Sequence, residues 1–246
     1  MANKGIGKSV FILIILIVGI FGIYMYKKIA TRNSLASQIA ALSPRQTPPQ
    51  SVEELRKAIG LYEKKIEEHI KDAAQTGSYW KILGSRLMDG RQPLYGEALN
   101  ALQNAVRYYP EDETIHYLIG VSAGNLGRSE YFSPMEQAEH YRISEAAYLR
   151  AIDLQGRYSK ALYGLGVLYV FALNRPMEAI PHMELYLDIN KRDTDGMFIL
   201  ASAYYMTENY EGAVRLYDNI ISISKDQNVR NQAEQNKQQV MDAWYR

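Results

Sequence analysis

The sequence predicts an all-α protein, in which a solenoid of stacked helix pairs is joined to one N-terminal transmembrane helix. Three observations predict it. A small residue follows a large aliphatic one at steps of 36, 46 and 35 residues, at Gly84, Gly120, Gly166 and Ala201. An uncharged, apolar run fills residues 9–26, and amphipathic stretches flank the recurring units on both sides. Recurrence at this spacing is typical of repeat proteins, whose units each bury an apolar face against a neighbour.

The N-terminal segment, residues 9–28, is predicted to be a transmembrane signal-anchor helix behind a short basic tail, residues 1–8. The 18 uncharged positions of residues 9–26 would reach about 27 Å as a helix, close to the thickness of the hydrocarbon layer of a bilayer. A cleaved signal peptide is the main alternative, but its apolar region is shorter, roughly 7–15 residues, and small residues follow it closely. Here Lys27 and Lys28 follow instead. A buried helix is the third alternative.

Charge determines the orientation of this segment only weakly, because the basic residues on its two sides nearly balance. A signal-anchor whose short tail stays in the cytoplasm places the body on the extracytoplasmic, periplasmic side. The expected product is a single-pass membrane protein with its repeats on that side. Residues 29–50 then form a flexible linker, since Pro44, Pro48 and Pro49 interrupt any helix.

Charge is distributed unevenly along the 246 residues. The first 50 residues carry six lysines and arginines and no acid, which leaves 22 basic and 27 acidic residues for the rest. A mildly acidic body lacks the concentrated basic face that DNA or RNA binding requires, so no nucleic-acid partner is expected. The absence of cysteine excludes disulfides, thiolate nucleophiles and cysteine-based zinc sites.

The residues around the recurring small positions resemble the tetratricopeptide repeat (TPR). In the first unit, aromatic residues and Leu-Gly precede an alanine, a large apolar residue, a second alanine and a proline, at Tyr79, Trp80, Leu83, Gly84, Ala98, Leu102, Ala105 and Pro110. The later units keep parts of this order, at Ile119, Gly120, Ser144, Tyr148 and Ala151, then Leu165, Gly166, Tyr169, Ala179 and Met183, then Leu200, Ala201, Tyr204, Ala213 and Tyr217. The TPR period is about 34 residues, and the units in phase cover residues 78–225.

The resemblance implies a right-handed superhelix of four units with a capping helix at each end. Small residues at the recurring positions let the two helices of a unit approach closely, and large residues equivalent to Tyr169 and Tyr217 fill the space between units. Tyr186 and Ile220 stand where the family usually has alanine, which predicts looser or shifted packing after the third and fourth units. The predicted segments are an N-terminal capping helix, four units and a C-terminal capping helix, at residues 51–77, 78–112, 113–158, 159–193, 194–225 and 226–246.

The second unit is longer than the others because of an insertion at residues 127–139. Ser133 and Glu136 are spaced as a capping box that starts a long helix running to about Leu154. The loop before this helix is either a tolerated surface insertion or a contact site for a partner. Two aromatic residues favour the contact site, Tyr131 and Phe132.

The inner wall of the predicted superhelix consists of the first helix of each unit. The repeat pattern places twelve candidate partner-binding residues on that wall: Lys81, Ser85, Tyr117, Val121, Asn125, Lys160, Tyr163, Val167, Phe171, Phe198, Ser202 and Tyr205. Tyr117, Tyr163 and Phe198 occupy equivalent places, so they either form an aromatic ladder that grips an extended peptide or helix, or pack against a neighbouring element. Some TPR proteins clamp a C-terminal carboxylate with lysine and asparagine. Lys81 matches the lysine, but Ser85 replaces the asparagine.

No catalytic motif accompanies these repeats. The four histidines are isolated from one another, and no P-loop, GxSxG or HExxH pattern occurs. We therefore expect no catalytic residue, no metal site and no cofactor. The predicted role is that of a membrane-tethered scaffold that binds a protein partner. The alternatives are binding of a small apolar molecule or envelope component within the superhelix, and self-assembly with the groove filled by another copy of the chain.

Overall fold

A computed structural model of the chain describes Ile23 and residues 51–245, without the side chain of Glu54. Within those residues, no helix is both long enough and apolar enough to cross a membrane. Three predicted segments lie outside the described residues, apart from Ile23: the basic tail, the transmembrane anchor and the linker, at residues 1–8, 9–28 and 29–50.

The described chain is an all-α, TPR-like helical repeat. Consecutive helices pack against each other in antiparallel pairs, and residues 73–245 belong to one compact unit. The helices are α1 (Val52–Met88), α2 (Tyr95–Val106), α3 (Glu113–Gly127), α4 (Pro134–Leu154), α5 (Ser159–Val167), α6 (Pro176–Ile189), α7 (Thr194–Met206), α8 (Tyr210–Ile223) and α9 (Gln227–Trp244). A single π-helical turn, Leu168–Ala172, extends α5.

The first helix differs from the sequence prediction. The predicted capping helix, residues 51–77, and the first helix of the first repeat form one uninterrupted helix of 37 residues, α1. The sequence offers no proline between them, and Gly77 does not break the helix because it is used for packing. A Cβ atom at position 77 would lie 2.5 Å from the Cβ of Tyr108. Whether residues 51–77 cap the repeats stays a prediction, because the large apolar side chains of residues 52–70 are mostly exposed, although Ala58 is buried.

Close approach within each helix pair depends on the recurring glycines. A Cβ atom at Gly84 would lie 2.5 Å from the Cγ of Leu102, and one at Gly120 would lie 2.5 Å from the Cε1 of Tyr148. Neither distance is compatible with a real side chain. The Oγ of Ser144 also donates a hydrogen bond of 2.7 Å to the carbonyl of Gly120. The predicted role of the small residues is therefore confirmed for these pairs.

Two large side chains that replace the family's usual alanine are accommodated by neighbouring helices. Tyr186 and Ile220 are 9% and 0% exposed, so both side chains are buried, and a shift of the packing there stays a prediction. Gly196 makes room for Tyr186, since a Cβ atom at Gly196 would lie 2.5 Å from the tyrosine ring. Ile220 packs into a cluster with Ala233 and Val240 of α9. In each case a neighbouring residue compensates for the larger side chain.

The insertion in the second repeat has the local structure that the capping residues predict. α3 ends at Gly127 and α4 begins at Pro134. The Oγ of Ser133 accepts from the amide of Glu136, while the amide of Ser133 donates to the Glu136 carboxylate at 2.8 Å. This capping box fixes the start of a 21-residue helix.

Replacement of Gly120 by alanine should lower the free energy of unfolding by about 1–3 kcal/mol, because the added methyl overpacks against Tyr148. Tyr148 is also held by Gly164, whose own Cβ would lie 2.6 Å from the ring, so it has little room to retreat. Gly96→Ala is the matched control, since nothing lies within 4 Å of a Cβ there. That change should be neutral or stabilise the helix by up to about 1 kcal/mol. Urea unfolding followed by circular dichroism compares the two, and equal effects would contradict the packing role of Gly120.

Candidate binding groove

Seven of the twelve residues predicted for the inner wall line two cavities between α3 and α5. Tyr117 and Val121 lie one turn apart on α3, and Tyr163 and Val167 lie one turn apart on α5. Residues four apart on a helix share a face, so each helix presents a tyrosine followed by a valine. The tyrosines line one cavity and the valines line the other. We call the two together the groove.

The first cavity, the tyrosine cavity, has a volume of about 220 Å³ and is lined by Tyr117, Ser159, Lys160, Tyr163, Tyr186, Asp193 and Asp195. The Nζ of Lys160 lies 5.9 Å from the ring centroid of Tyr117, within the range of a cation–π contact. The rings of Tyr163 and Tyr186 lie 5.3 Å apart. Aromatic faces, one cation and two carboxylates therefore surround this cavity.

The tyrosine hydroxyls of this cavity are held in their neutral, hydrogen-bonding form. Burial raises the pKa of Tyr163, and the negative charges of Asp195 and Asp193 raise it further. The pKa of Tyr117 is raised by burial first and by Tyr158 second. Both phenols are available to donate hydrogen bonds to a bound backbone or side chain.

The second cavity, the apolar cavity, has a volume of about 440 Å³. Four predicted residues line it: Val121, Asn125, Val167 and Phe171. The second helix of the pair and the π-helical turn add residues that the sequence did not indicate: Tyr141, Ser144, Tyr148, Leu168 and Ala172. Gly124, Arg128 and Gly164 complete the wall. The cavity is therefore mainly apolar and aromatic, with one guanidinium and one amide among its lining groups.

The position of Phe171 depends on the π-helical turn. The amide of Leu173 donates to the carbonyl of Leu168, five residues earlier, at 3.0 Å. Such a turn inserts one extra residue into a helix and is frequent at functional sites. Phe171 is 64% exposed although it is a large apolar residue. No sequence pattern predicts this turn.

Two of the predicted residues, Lys81 and Ser85, lie outside the groove. The Nζ of Lys81 lies 2.6 Å from a carboxylate oxygen of Asp112. The other oxygen of that carboxylate accepts from the amide of Ile115 at 3.0 Å and so caps α3. Lys81 thus links the first helix of the first repeat to the start of the first helix of the second repeat. Half-buried Ser85 lines neither cavity.

The predicted residues of the fourth repeat also lie outside the two cavities. Phe198 packs with its ring centroid 6.0 Å from that of Tyr217, in the core shared by α7, α8 and α9. The Oγ of Ser202 donates to the carbonyl of Phe198 at 2.8 Å. Tyr205 is 41% exposed, and its ring lies 6.1 Å from that of Tyr210. Phe198 therefore does not continue the pair formed by the tyrosines of α3 and α5.

The two aromatic residues of the insertion loop differ in how far they are exposed to solvent. Tyr131 is 98% exposed, as a partner-contact residue would be. Phe132 is half-buried, and its ring lies 4.9 Å from the ring of His140 on α4. Phe132 therefore secures the loop to the helix and does not form an exposed tip, which corrects the expectation that both rings are presented together.

Within residues 51–245, no group of three or more histidine and acidic side chains is arranged to hold a metal ion. The half-buried His182 stacks 6.1 Å from the ring of Tyr169, and partial burial lowers its pKa. The prediction that the chain is not an enzyme remains a prediction.

Comparisons with known proteins agree with this fold. Residues 136–194 match the family model for the tetratricopeptide repeat. None of the curated proteins compared with the chain matches it. Among solved structures, the chain is similar to "MamA 41-end from Desulfovibrio magneticus RS-1", with 16% identity, a TM-score of 0.54, and coverage of 68% of this chain and 94% of that one.

A second similar structure is "YrrB: a TPR protein with an unusual peptide-binding site", with 19% identity and a TM-score of 0.50. The match covers 75% of this chain and 85% of that one. At these identities the comparisons establish the fold alone, which is an all-α, TPR-like helical repeat.

Removal of the Asp112 side chain should destabilise the protein more than removal of Lys81. Asp112→Ala loses a helix cap, at a cost of about 1–2 kcal/mol. Lys81→Ala loses a partly exposed ion pair, at a cost below about 1 kcal/mol. Thermal unfolding of both variants measures the difference. A larger loss for Lys81→Ala would show that the ion pair, and not the cap, fixes the start of α3.

Proposed function

We propose that this protein is a membrane-tethered scaffold that binds a segment of another protein along the groove between α3 and α5. The observation that carries the proposal is the pair of adjacent cavities, in which a tyrosine and a valine on successive turns of α3 face their counterparts on α5. A surface built from open cavities with apolar walls and a few polar groups is suited to recognition of another molecule.

The spacing of the cavities favours an extended segment as the ligand. Positions one turn apart on a helix are separated by about 6 Å. In an extended chain, side chains on one face are two residues apart and separated by about 6.6 Å. A large apolar side chain in the apolar cavity would therefore be followed, two residues away, by a side chain in the tyrosine cavity.

The chemistry of the cavities further limits the ligand. The apolar cavity accepts an aliphatic or aromatic side chain, and Arg128 beside it favours an acidic neighbour in the ligand. The tyrosine cavity offers phenol groups together with Lys160, Asp193 and Asp195. It is suited to a polar, hydrogen-bonding side chain. The peptide-binding site named for the similar protein YrrB supports a peptide ligand on this fold.

Replacement of Phe171 by alanine should weaken peptide binding without unfolding the protein, because this ring is 64% exposed and faces the apolar cavity. Selection of a random-peptide library on the full chain in mild detergent should enrich sequences with a large apolar residue. Synthetic versions of these peptides should bind Phe171→Ala about tenfold more weakly, as expected for an aromatic anchor of an interface.

Tyr245→Ala is the matched control, since it removes an exposed ring just after α9 that lines neither cavity of the groove. Equal losses for the two variants would argue against the groove. An absence of enriched peptides, or undiminished binding by Phe171→Ala, would contradict the proposal directly.

The tether is the second part of the proposal, and its support is the uncharged run of residues 9–26 between lysines. We expect the full chain to stay with lipid vesicles after an alkaline wash. In sealed cells, protease added from outside should reach the repeats once the outer barrier is opened, if they lie on the periplasmic side. Release by alkaline wash would contradict the anchor, and protection until lysis would contradict the orientation.

A small apolar ligand is the alternative occupant of the apolar cavity. Its volume of about 440 Å³ lies within the range of roughly 300–1,000 Å³ found for small-molecule sites. Native mass spectrometry of the purified full chain distinguishes the two ligands. If the unchanged chain carries a bound molecule of constant mass and Phe171→Ala does not, the result would favour a small apolar ligand over a protein segment.

A further inference from the structure

The N-terminal part of α1 carries an exposed apolar stripe. Six large apolar side chains in this stretch are between 42% and 66% exposed: Val52, Leu55, Ile59, Tyr62, Ile66 and Ile70. Spacings of three and four residues place them on one face of the helix. We call this surface the stripe. An apolar face of five turns costs free energy in water, so a partner that covers it stabilises the protein.

The stripe has the register of a coiled coil. The first positions of its seven-residue repeat are β-branched, Val52, Ile59 and Ile66. The fourth positions are Leu55, Tyr62 and His69. In a coiled coil, side chains at the first and fourth positions of the seven-residue repeat each insert between four side chains of the facing helix. A second helix with the same spacing therefore fits the stripe better than an irregular surface does.

The charges beside the stripe favour a protein helix over a membrane surface. Residues 52–72 contain five basic and six acidic side chains, distributed along the whole helix. A helix that lies on a bilayer carries an excess of lysine and arginine on its polar face, for attraction to anionic lipids. This helix has no such excess.

We propose that the stripe binds the stripe of a second copy of this chain, with the two helices antiparallel. In this arrangement Leu55 of one copy faces Ile66 of the other, and Ile59 faces Tyr62. The pairing repeats by symmetry on both sides of the centre, which gives four apolar layers, and a layer that joins Val52 to His69 at each end completes six.

Charge complementarity selects the antiparallel arrangement. It brings Arg56 of one copy beside Glu63 of the other, twice by symmetry. Both side chains are exposed, and neither takes part in an ion pair within the described residues. In the parallel arrangement the flanking positions would instead join Ala58 to Glu63 and Lys65 to Ile70, neither of which is a charge pair.

This inference does not depend on the proposed function, because the stripe and the groove share no residue. If both hold, each dimer carries two grooves. A partner with two binding segments would then be held more tightly than by one copy, through the raised effective concentration at the second groove.

Cysteine cross-linking tests the pairing directly, because the native chain contains no cysteine. Full-length Leu55→Cys chains are mixed with full-length Ile66→Cys chains in lipid vesicles and in mild detergent, and then oxidised. The antiparallel pairing predicts disulfide-linked dimers that contain one chain of each kind, since only facing residues come close enough to form the bond. Dimers of Leu55→Cys with itself and of Ile66→Cys with itself would show a parallel pairing and overturn the proposal.

An absence of cross-links also overturns the proposal. Labelling of the same cysteines with a water-soluble maleimide then identifies what covers the stripe. Protection that appears only with vesicles would assign the stripe to the bilayer, and free labelling would show an uncovered surface.

Substitution of residues in the stripe gives an independent test of the dimer. The double variant Ile59→Gln and Ile66→Gln should raise the dissociation constant of the full-chain dimer about a hundredfold, because it removes four buried aliphatic side chains from each dimer. The double variant Lys57→Gln and Lys64→Gln, on the opposite face of the helix, is the matched control. It should leave the dissociation constant unchanged. Sedimentation measures the dimer, and circular dichroism verifies that both variants remain helical. Equal dimerisation of the two double variants, or a monomeric native chain, would overturn the proposal.

Discussion

The close approach of two helices at a glycine is the contact on which the rest of this structure depends. Where Gly120 meets the ring of Tyr148, the side chain of one helix occupies the space that a Cβ atom would take on the other. This contact fixes the rotation of α3 about its own axis. Val121 follows Gly120 by one residue and is turned about 100° from the packing face. Val167 follows Gly166 in the same way on α5. The apolar cavity is thus a geometric consequence of how the helix pairs pack.

This relation explains which parts of the candidate site could be predicted from the sequence. Residues on the first helix of a repeat keep a constant offset from the recurring small residue, so Tyr117, Tyr163 and their valines could be placed from the pattern alone. Tyr141 and Tyr148 could not, because they reach the cavity from the second helix and their contribution depends on how two helices cross. The π-helical turn that positions Phe171 also leaves no periodic trace, since it interrupts the period itself.

The places where the structure departs from the simple repeat pattern have a common physical origin. A sequence pattern compares each residue with the family's usual residue at the same position. Packing depends instead on which two side chains meet in the folded chain. Tyr186 is large where alanine is usual, but Gly196 on the next helix removes the conflict. Lys81 matched a ligand-binding position, but Asp112 lies within ion-pair distance and already engages it. Phe198 is equivalent to the groove tyrosines in the repeat, yet it packs towards Tyr217. In each case the deciding partner is distant in sequence or belongs to another helix.

The two exposed features of the molecule differ in what they can contribute to binding. The groove is open and shallow, with cavities of about 220 and 440 Å³. It can bury only a few side chains of a ligand, and the cost of ordering an extended segment offsets much of that gain. High affinity is therefore not expected of one groove alone. The proposed membrane tether and the proposed pairing of two chains would both raise the effective concentration of grooves around a partner without any new contact. A weak site on a paired, tethered scaffold would then bind assemblies that present several copies of the segment and release isolated copies rapidly.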